Sequence, residues 1–147
     1  MKAVDVNLHF TNPFMSKLTC KCGHIIVDQS DSISYKGYIL PDTLLDEVST
    51  TLTDGIDELL EAIKVNKRTE WIKKHFTVPP YPTDIKDSSM IHDLLSHKLV
   101  ESTQDIFECE NCGRIAIQVG QSDRFKFFSP DSDDGKGILD PENRNNE

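Results

Sequence analysis

The first ten residues alternate between apolar and polar side chains, Val4-x-Val6-x-Leu8-x-Phe10. That is the period-two pattern of a half-buried strand, and Asn12-Pro13 closes it with a turn. Ile25-Ile26-Val27 reads as a further strand, and Tyr35-Lys36-Gly37-Tyr38-Ile39-Leu40 as a short strand or turn. The period then changes. Leu44, Leu45, Val48, Leu52, Ile56, Leu59, Leu60 and Ile63 recur at helical spacing, and Pro41 suits the first position of that helix because its ring fixes φ and it needs no donor there. Gly55 costs a helix interior about 1 kcal/mol relative to alanine, so it marks a kink or break. Trp71, Ile72 and Phe76 predict a short second helix packed through its aromatic side chains. Val78-Pro79-Pro80-Tyr81-Pro82 cannot continue it, since proline removes donors and favours extended backbone, and it reads as a structural connector. Ser88 or Ser89 is placed to cap a third helix carrying Ile91, Leu94, Leu95 and Leu99. Strand patterns return at Ile106-Phe107-Glu108, at Ile115-Ala116-Ile117-Gln118-Val119 and at Phe125-Lys126-Phe127-Phe128.

Set into these strands are four cysteines in two close pairs, Cys20-Lys21-Cys22-Gly23 and Cys109-Glu110-Asn111-Cys112-Gly113. Each pair sits between strands, as in a metal knuckle. A structural zinc ion takes four thiolates at the corners of a small tetrahedron, and short spacings supply half of that locally. In the second pair, Gly113 can take the positive φ that closes the turn. The first pair is one residue shorter and its turn tighter. Two disulfides, a redox Cys-x-x-Cys and an accidental cluster of buried thiols are the competing readings. The first needs an oxidising compartment, and Met1-Lys2-Ala3-Val4-Asp5 lacks the apolar core of a secretory signal. The second should open a helix instead of a β turn. Zinc on Cys20, Cys22, Cys109 and Cys112 ranks first, with His24 a possible replacement for one cysteine. Four protein ligands close the coordination sphere, so the ion is structural and no bound water is available for hydrolysis.

The expected fold class is therefore α+β, with antiparallel strands forming a split zinc ribbon around a helical insertion. One domain spans residues 1–129, with the insertion at about 41–101. Residues 130–147 are rich in Asp, Asn, Gly and Pro and read as an acidic, disordered tail. No apolar run approaches a membrane span. The free thiols and the missing signal favour the cytoplasm.

Charge narrows the function classes. With 25 acidic and 16 basic residues among 147, the formal charge is −9. That argues against a general phosphate-binding surface and for a basic protein partner. Asp42, Asp46, Glu47, Asp54, Asp57, Glu58 and Glu61 fall opposite the apolar face of the long helix, in a stretch without lysine or arginine. Lys64, Lys67, Arg68, Lys73 and Lys74 follow. Acids early and bases late suit the helix macrodipole, which explains the segregation without any partner. The functional alternative is a face for a cationic protein. His9, His24, His75, His92 and His97 form no catalytic constellation, so an enzyme ranks last.

The pattern Cys20-x-Cys22-Gly23 with Tyr35-Lys36-Gly37-Tyr38, then Glu108-Cys109-x-x-Cys112-Gly113-Arg114 and a terminal aromatic strand, resembles small bacterial proteins built on a split zinc ribbon. Some proteins of that size and acidity act as immunity proteins, which bind and neutralise a delivered toxin. The resemblance implies the four cysteine ligands and no interface. It supports a non-enzymatic binding protein whose acids Asp46, Glu47, Asp54, Asp57, Glu58 and Glu61 oppose a cationic toxin domain. The alternative is a zinc-ribbon accessory factor of transcription or translation machinery, touching its target through the Lys64 to Lys74 stretch and the knuckles.

Overall fold

The helical spacing that starts at Leu44 is realised as one unbroken helix, α1 (Asp42–Lys64), in a computed structural model that describes residues 16–77, 80–132 and 135–145. Pro41 stands one position before the helix, with φ −59° and ψ 137°, and its carbonyl accepts the Leu44 N–H at 2.9 Å. The helix runs unbroken through Gly55, so the break expected as one alternative there does not occur. Gly55 is buried, and a Cβ built on it would lie 2.5 Å from Leu94 Cδ2. Its lack of a side chain is what lets Leu94 seat against the helix. Asn66, at φ 58°, turns the chain out of α1 in the left-handed region that asparagine tolerates, and the Lys67 N–H then reaches the Ala62 carbonyl at 2.7 Å.

Two further helices belong to the same unit, whose described residues lie within Pro41–Ser102. They are α2 (Arg68–His75) and α3 (Asp87–Ser102). Leu59, Trp71, Ile72, Phe76 and Met90 form its buried core, and full burial of such a side chain contributes roughly 1.5–3 kcal/mol. The connector after α2 is tied down. Tyr81 stacks on Phe76 with ring centroids 4.0 Å apart and donates its hydroxyl to Asp93 at 2.6 Å. Arg68 bonds the Asp87 carboxylate at 2.7 Å and the carbonyls of Thr83 and Ile85. This clamp starts α3 at Asp87, which places Ser88 and Ser89 inside the first turn instead of at the cap.

A second unit joins residues 16–40 to 103–145. Among the described residues its strands form two antiparallel sheets, which with the three α-helices make the protein α+β. One sheet is the hairpin β1 (Ser16–Thr19) and β2 (Ile25–Asp28). The other orders β3 (Lys36–Ile39), β4 (Gln104–Glu108), β5 (Ile115–Gln118) and β6 (Phe125–Phe128) as neighbours. Register aligns Lys36, Phe107, Ala116 and Phe127 across the four strands, so their side chains share one face. Phe107 and Ala116 are buried there with Cys20, Ile26 and Cys109. The Lys36 amine donates to Asp28 at 2.6 Å, approaches Asp105 at 3.7 Å and lies 5.2 Å from the centre of the Phe107 ring. Burial works against its charge, yet the Asp28 hydrogen bond together with the charges of Asp105, Tyr38 and Asp28 outweighs that and raises its pKa. Burial raises Asp105 too. The Lys36 charge 3.7 Å away offsets only part of that.

The expected N-terminal strand and the turn at Asn12-Pro13 lie outside the described residues. Composition reads residues 130–147 as a tail, but their described part has definite partners. Glu108, 3 % exposed, accepts the N–H of Gly137 and, at 3.3 Å, that of Leu139. A 3-10 helix follows at Pro141–Asn145. Among the described residues no helix is long and apolar enough to cross a membrane.

Candidate metal centre

Both cysteine pairs sit at hairpin ends, and the two turns close alike despite their different spacing. At the end of β1 the Cys20 N–H bonds the His24 carbonyl at 2.8 Å, and the Gly23 N–H returns to the Cys20 carbonyl at 2.9 Å. Beyond β4 the Cys109 N–H bonds the Arg114 carbonyl at 2.8 Å, and the Gly113 N–H returns to the Cys109 carbonyl, also at 2.8 Å. Each return needs a residue at positive φ, and Gly23 (+88°) and Gly113 (+70°) supply it. Any other residue type there would be strained by its Cβ.

The hairpins bring all four sulfurs within 4.8 Å of one another, an arrangement compatible with a metal site. Cys20 Sγ lies 3.6 Å from Cys112 Sγ, and Cys22 Sγ lies 3.7 Å from Cys109 Sγ. All four are free thiols, Cys20 and Cys109 buried and Cys22 exposed. Polar donors approach two of the sulfurs. Asn111 Nδ2 stands 3.5 Å from Cys22 Sγ, and Arg114 Nη1 stands 3.4 Å from Cys112 Sγ. The Asn111 amide, followed by the His24 backbone, lowers the Cys22 pKa to about 6. Burial pushes Cys109 up to about 12. Cys112 is also partly desolvated, but the Arg114 backbone N–H together with hydrogen bonds from Cys109 and Cys20 outweighs this and its pKa falls. A group of thiols with such mixed tendencies ionises together only when a cation balances it.

His24 is not among the converging ligand atoms. Its Nε2 lies 3.7 Å from Glu110 Oε2, too far for a hydrogen bond, and has no hydrogen-bond partner. The other described histidines each face one carboxylate: His75 faces Glu58, His92 faces Asp93 and His97 faces Glu101. His9 lies outside the described residues. Among the described residues only the four cysteines form a group of three or more His, Cys, Asp or Glu side chains placed to share an ion.

The model of a family described as Domain of unknown function (DUF8617) matches residues 16–132, most of the chain and both knuckles. The chain belongs to this family. No curated protein and no solved structure matches it.

In this DUF8617 member the acids of α1 do not form one free face. Glu58 sits at the margin of the buried stripe beside Leu59, so it turns toward α2, where Lys74 bonds it at 2.7 Å and His75 at 3.0 Å. The Lys74 hydrogen bond lowers its pKa. Glu47 pairs with Lys98 of α3 at 2.7 Å, and Glu61 with Lys64 at 2.6 Å. Asp46, Asp54 and Asp57 are exposed. Asp57 helps to raise the Lys64 pKa, after Glu61. Lys64 and Lys74 of the basic segment thus pair with acids that precede it. Two features of the DUF8617 site escape sequence reading, namely the Asn111 and Arg114 donors to sulfur. Their only signal was position, one inside the second knuckle and one just after it.

Proposed function

We propose that this protein is a non-enzymatic binding protein whose sheet unit is a split zinc ribbon, and that it acts as an immunity protein neutralising a cationic toxin domain. The single observation that carries the metal part is the sulfur spacing. Four bonds of about 2.3 Å to a tetrahedral zinc put neighbouring sulfurs about 3.8 Å apart, and the two closest approaches across the hairpins are 3.6 and 3.7 Å. Cys20, Cys22, Cys109 and Cys112 would hold the ion, and their four sulfurs leave no coordination position for substrate. Zinc bound in this way supplies folding free energy and a cross-link between the hairpins.

The binding part rests on Asp46, Asp54 and Asp57. No ion pair among the described residues engages them, so their charge is available to steer a basic partner. The alternative of a nucleic-acid-contacting accessory factor has less support. Lys64, Lys67 and Lys74 of the basic stretch face Glu61, Glu70 and Glu58, which leaves fewer cations for phosphate.

The test is co-purification with the proteins encoded beside it, with metal content read on the same sample. One zinc per chain and one tightly held basic protein are expected. Its association rate should fall with salt and with the triple change Asp46→Asn, Asp54→Asn and Asp57→Asn. A partner whose binding ignores both, or retention of nucleic acid in its place, would overturn the binding assignment.

A further inference from the structure

The four sulfurs are not equally reachable. Cys109 is fully buried and Cys20 is 2 % exposed, Cys112 is intermediate, and Cys22 alone is exposed. A reagent arriving from water therefore meets Cys22 first. The sulfur facing Cys22 across the site is that of Cys109, 3.7 Å away, on the other hairpin. A disulfide needs about 2.05 Å, a closure of under 2 Å from the 3.7 Å separation. A local bridge from Cys22 to Cys20 would instead have to reshape the turn held by the Gly23 to Cys20 hydrogen bond.

We infer that Cys22 is a modification site at which hydrogen peroxide oxidises the cysteine cluster, joining Cys22 to Cys109 and releasing the metal. The inference rests on the metal-centre assignment above and adds its regulation. The Cys22 thiolate attacks one peroxide oxygen, the O–O bond breaks, and Cys22 becomes a sulfenic acid while water forms from the departing oxygen and protons from solvent. The Cys109 thiolate then attacks the Cys22 sulfur, the S–O bond breaks, and a second water leaves with a further proton. Two sulfurs have lost two electrons in total and the peroxide has gained them. Cys20 and Cys112, 3.6 Å apart, remain as the only thiolates, too few to retain zinc. A second peroxide can join them in the same way. The oxidised protein keeps its two hairpins linked, by sulfur bonds in place of the ion. A dithiol reductant reverses the change.

The experiment uses the full-length, zinc-loaded protein and hydrogen peroxide. Zinc release is followed with a chromogenic chelator, and disulfides are mapped by mass spectrometry of unreduced peptides after quenching at successive times. The expected first cross-link is Cys22–Cys109, formed in step with the release of one zinc per chain. Brief alkylation without peroxide should mark Cys22 at least about tenfold faster than Cys20 or Cys109, because access governs the rate. The Cys22→Ser variant should release zinc about tenfold more slowly, and the wild-type map decides the matter if that variant fails to load. A first cross-link within one pair, Cys20–Cys22 or Cys109–Cys112, would overturn the inference. So would zinc retained after Cys22 is oxidised. A protein that takes up no zinc would overturn the metal assignment itself, and that result is read before any peroxide is added.

Discussion

Replacing Gly55 with alanine should weaken the helical unit, against the ordinary rule for helices. Helix propensity alone favours Gly55→Ala by about 1 kcal/mol. The structure opposes that gain, because the new methyl would lie 2.5 Å from Leu94 Cδ2, a separation that real Cβ atoms essentially never show. Overpacking of this kind costs roughly 1–3 kcal/mol. Leu94 is only half-buried and can rotate, at about 0.5–1.5 kcal/mol for an unfavourable rotamer, and it loses packing against the helix as it does so, so about 1.5–2 kcal/mol of that range applies. The balance is a net loss of about 0.5–1 kcal/mol. For a unit of about 60 residues this lowers the melting temperature by roughly 2–8 °C. Leu94→Ala removes the obstructing atom. In that background Gly55→Ala should stabilise by close to its full propensity, so the double-mutant cycle shows a coupling of about 1–3 kcal/mol and a change of sign. Urea unfolding followed by helical circular dichroism measures all four proteins. Equal stabilisation by Gly55→Ala in both backgrounds would refute the claim that Gly55 exists to seat Leu94.

Glu58 should shape the acid limb of stability. Its pKa is depressed first by the Lys74 hydrogen bond and also by His75, so the carboxylate contributes stability above the usual carboxylate range and loses it as pH falls through its folded pKa. Glu58→Gln should therefore flatten the decline of the urea midpoint below about pH 4.5, by well under 1 kcal/mol because the pair is partly solvated; parallel curves for the two proteins would contradict this. Glu108→Ala should leave the Gly137 and Leu139 N–H groups without their acceptor, costing about 1–3 kcal/mol and speeding amide exchange at those two positions, with Glu108→Gln intermediate. Arg114→Ala should speed zinc loss to a competing chelator by about 10-fold or more, with little change in the helical unit; an unchanged loss rate would remove Arg114 from the metal site. Stripping the metal should lower the melting temperature of the sheet unit while most of the helical signal survives, because the core of Leu59, Trp71, Ile72, Phe76 and Met90 contains no cysteine.

What the sequence determined by itself is local. A 3.6-residue period identifies α1 whatever surrounds it, because the periodicity is set by the helix geometry and read within a few turns. Trp71, Ile72 and Phe76 announce α2 in the same way, and the knuckle glycines follow from the backbone angles that a tight return demands. The four-cysteine group was legible because metal-ligand pairs are spaced by the turn that presents them. Tertiary structure decided everything that depends on what lies across a gap. Gly55 reads as a break until Leu94 arrives over it. Glu58 reads as part of an acidic face until Lys74 and His75 turn it inward. Glu108 reads as one more polar strand residue, and only the fold brings the amides of Gly137 and Leu139 to it. The pairing of Cys20 with Cys112 and of Cys22 with Cys109 belongs to the same group. Chain spacing constrains a residue to its neighbours within a turn or a strand, and contacts between distant segments are chosen by packing and register that no local pattern records.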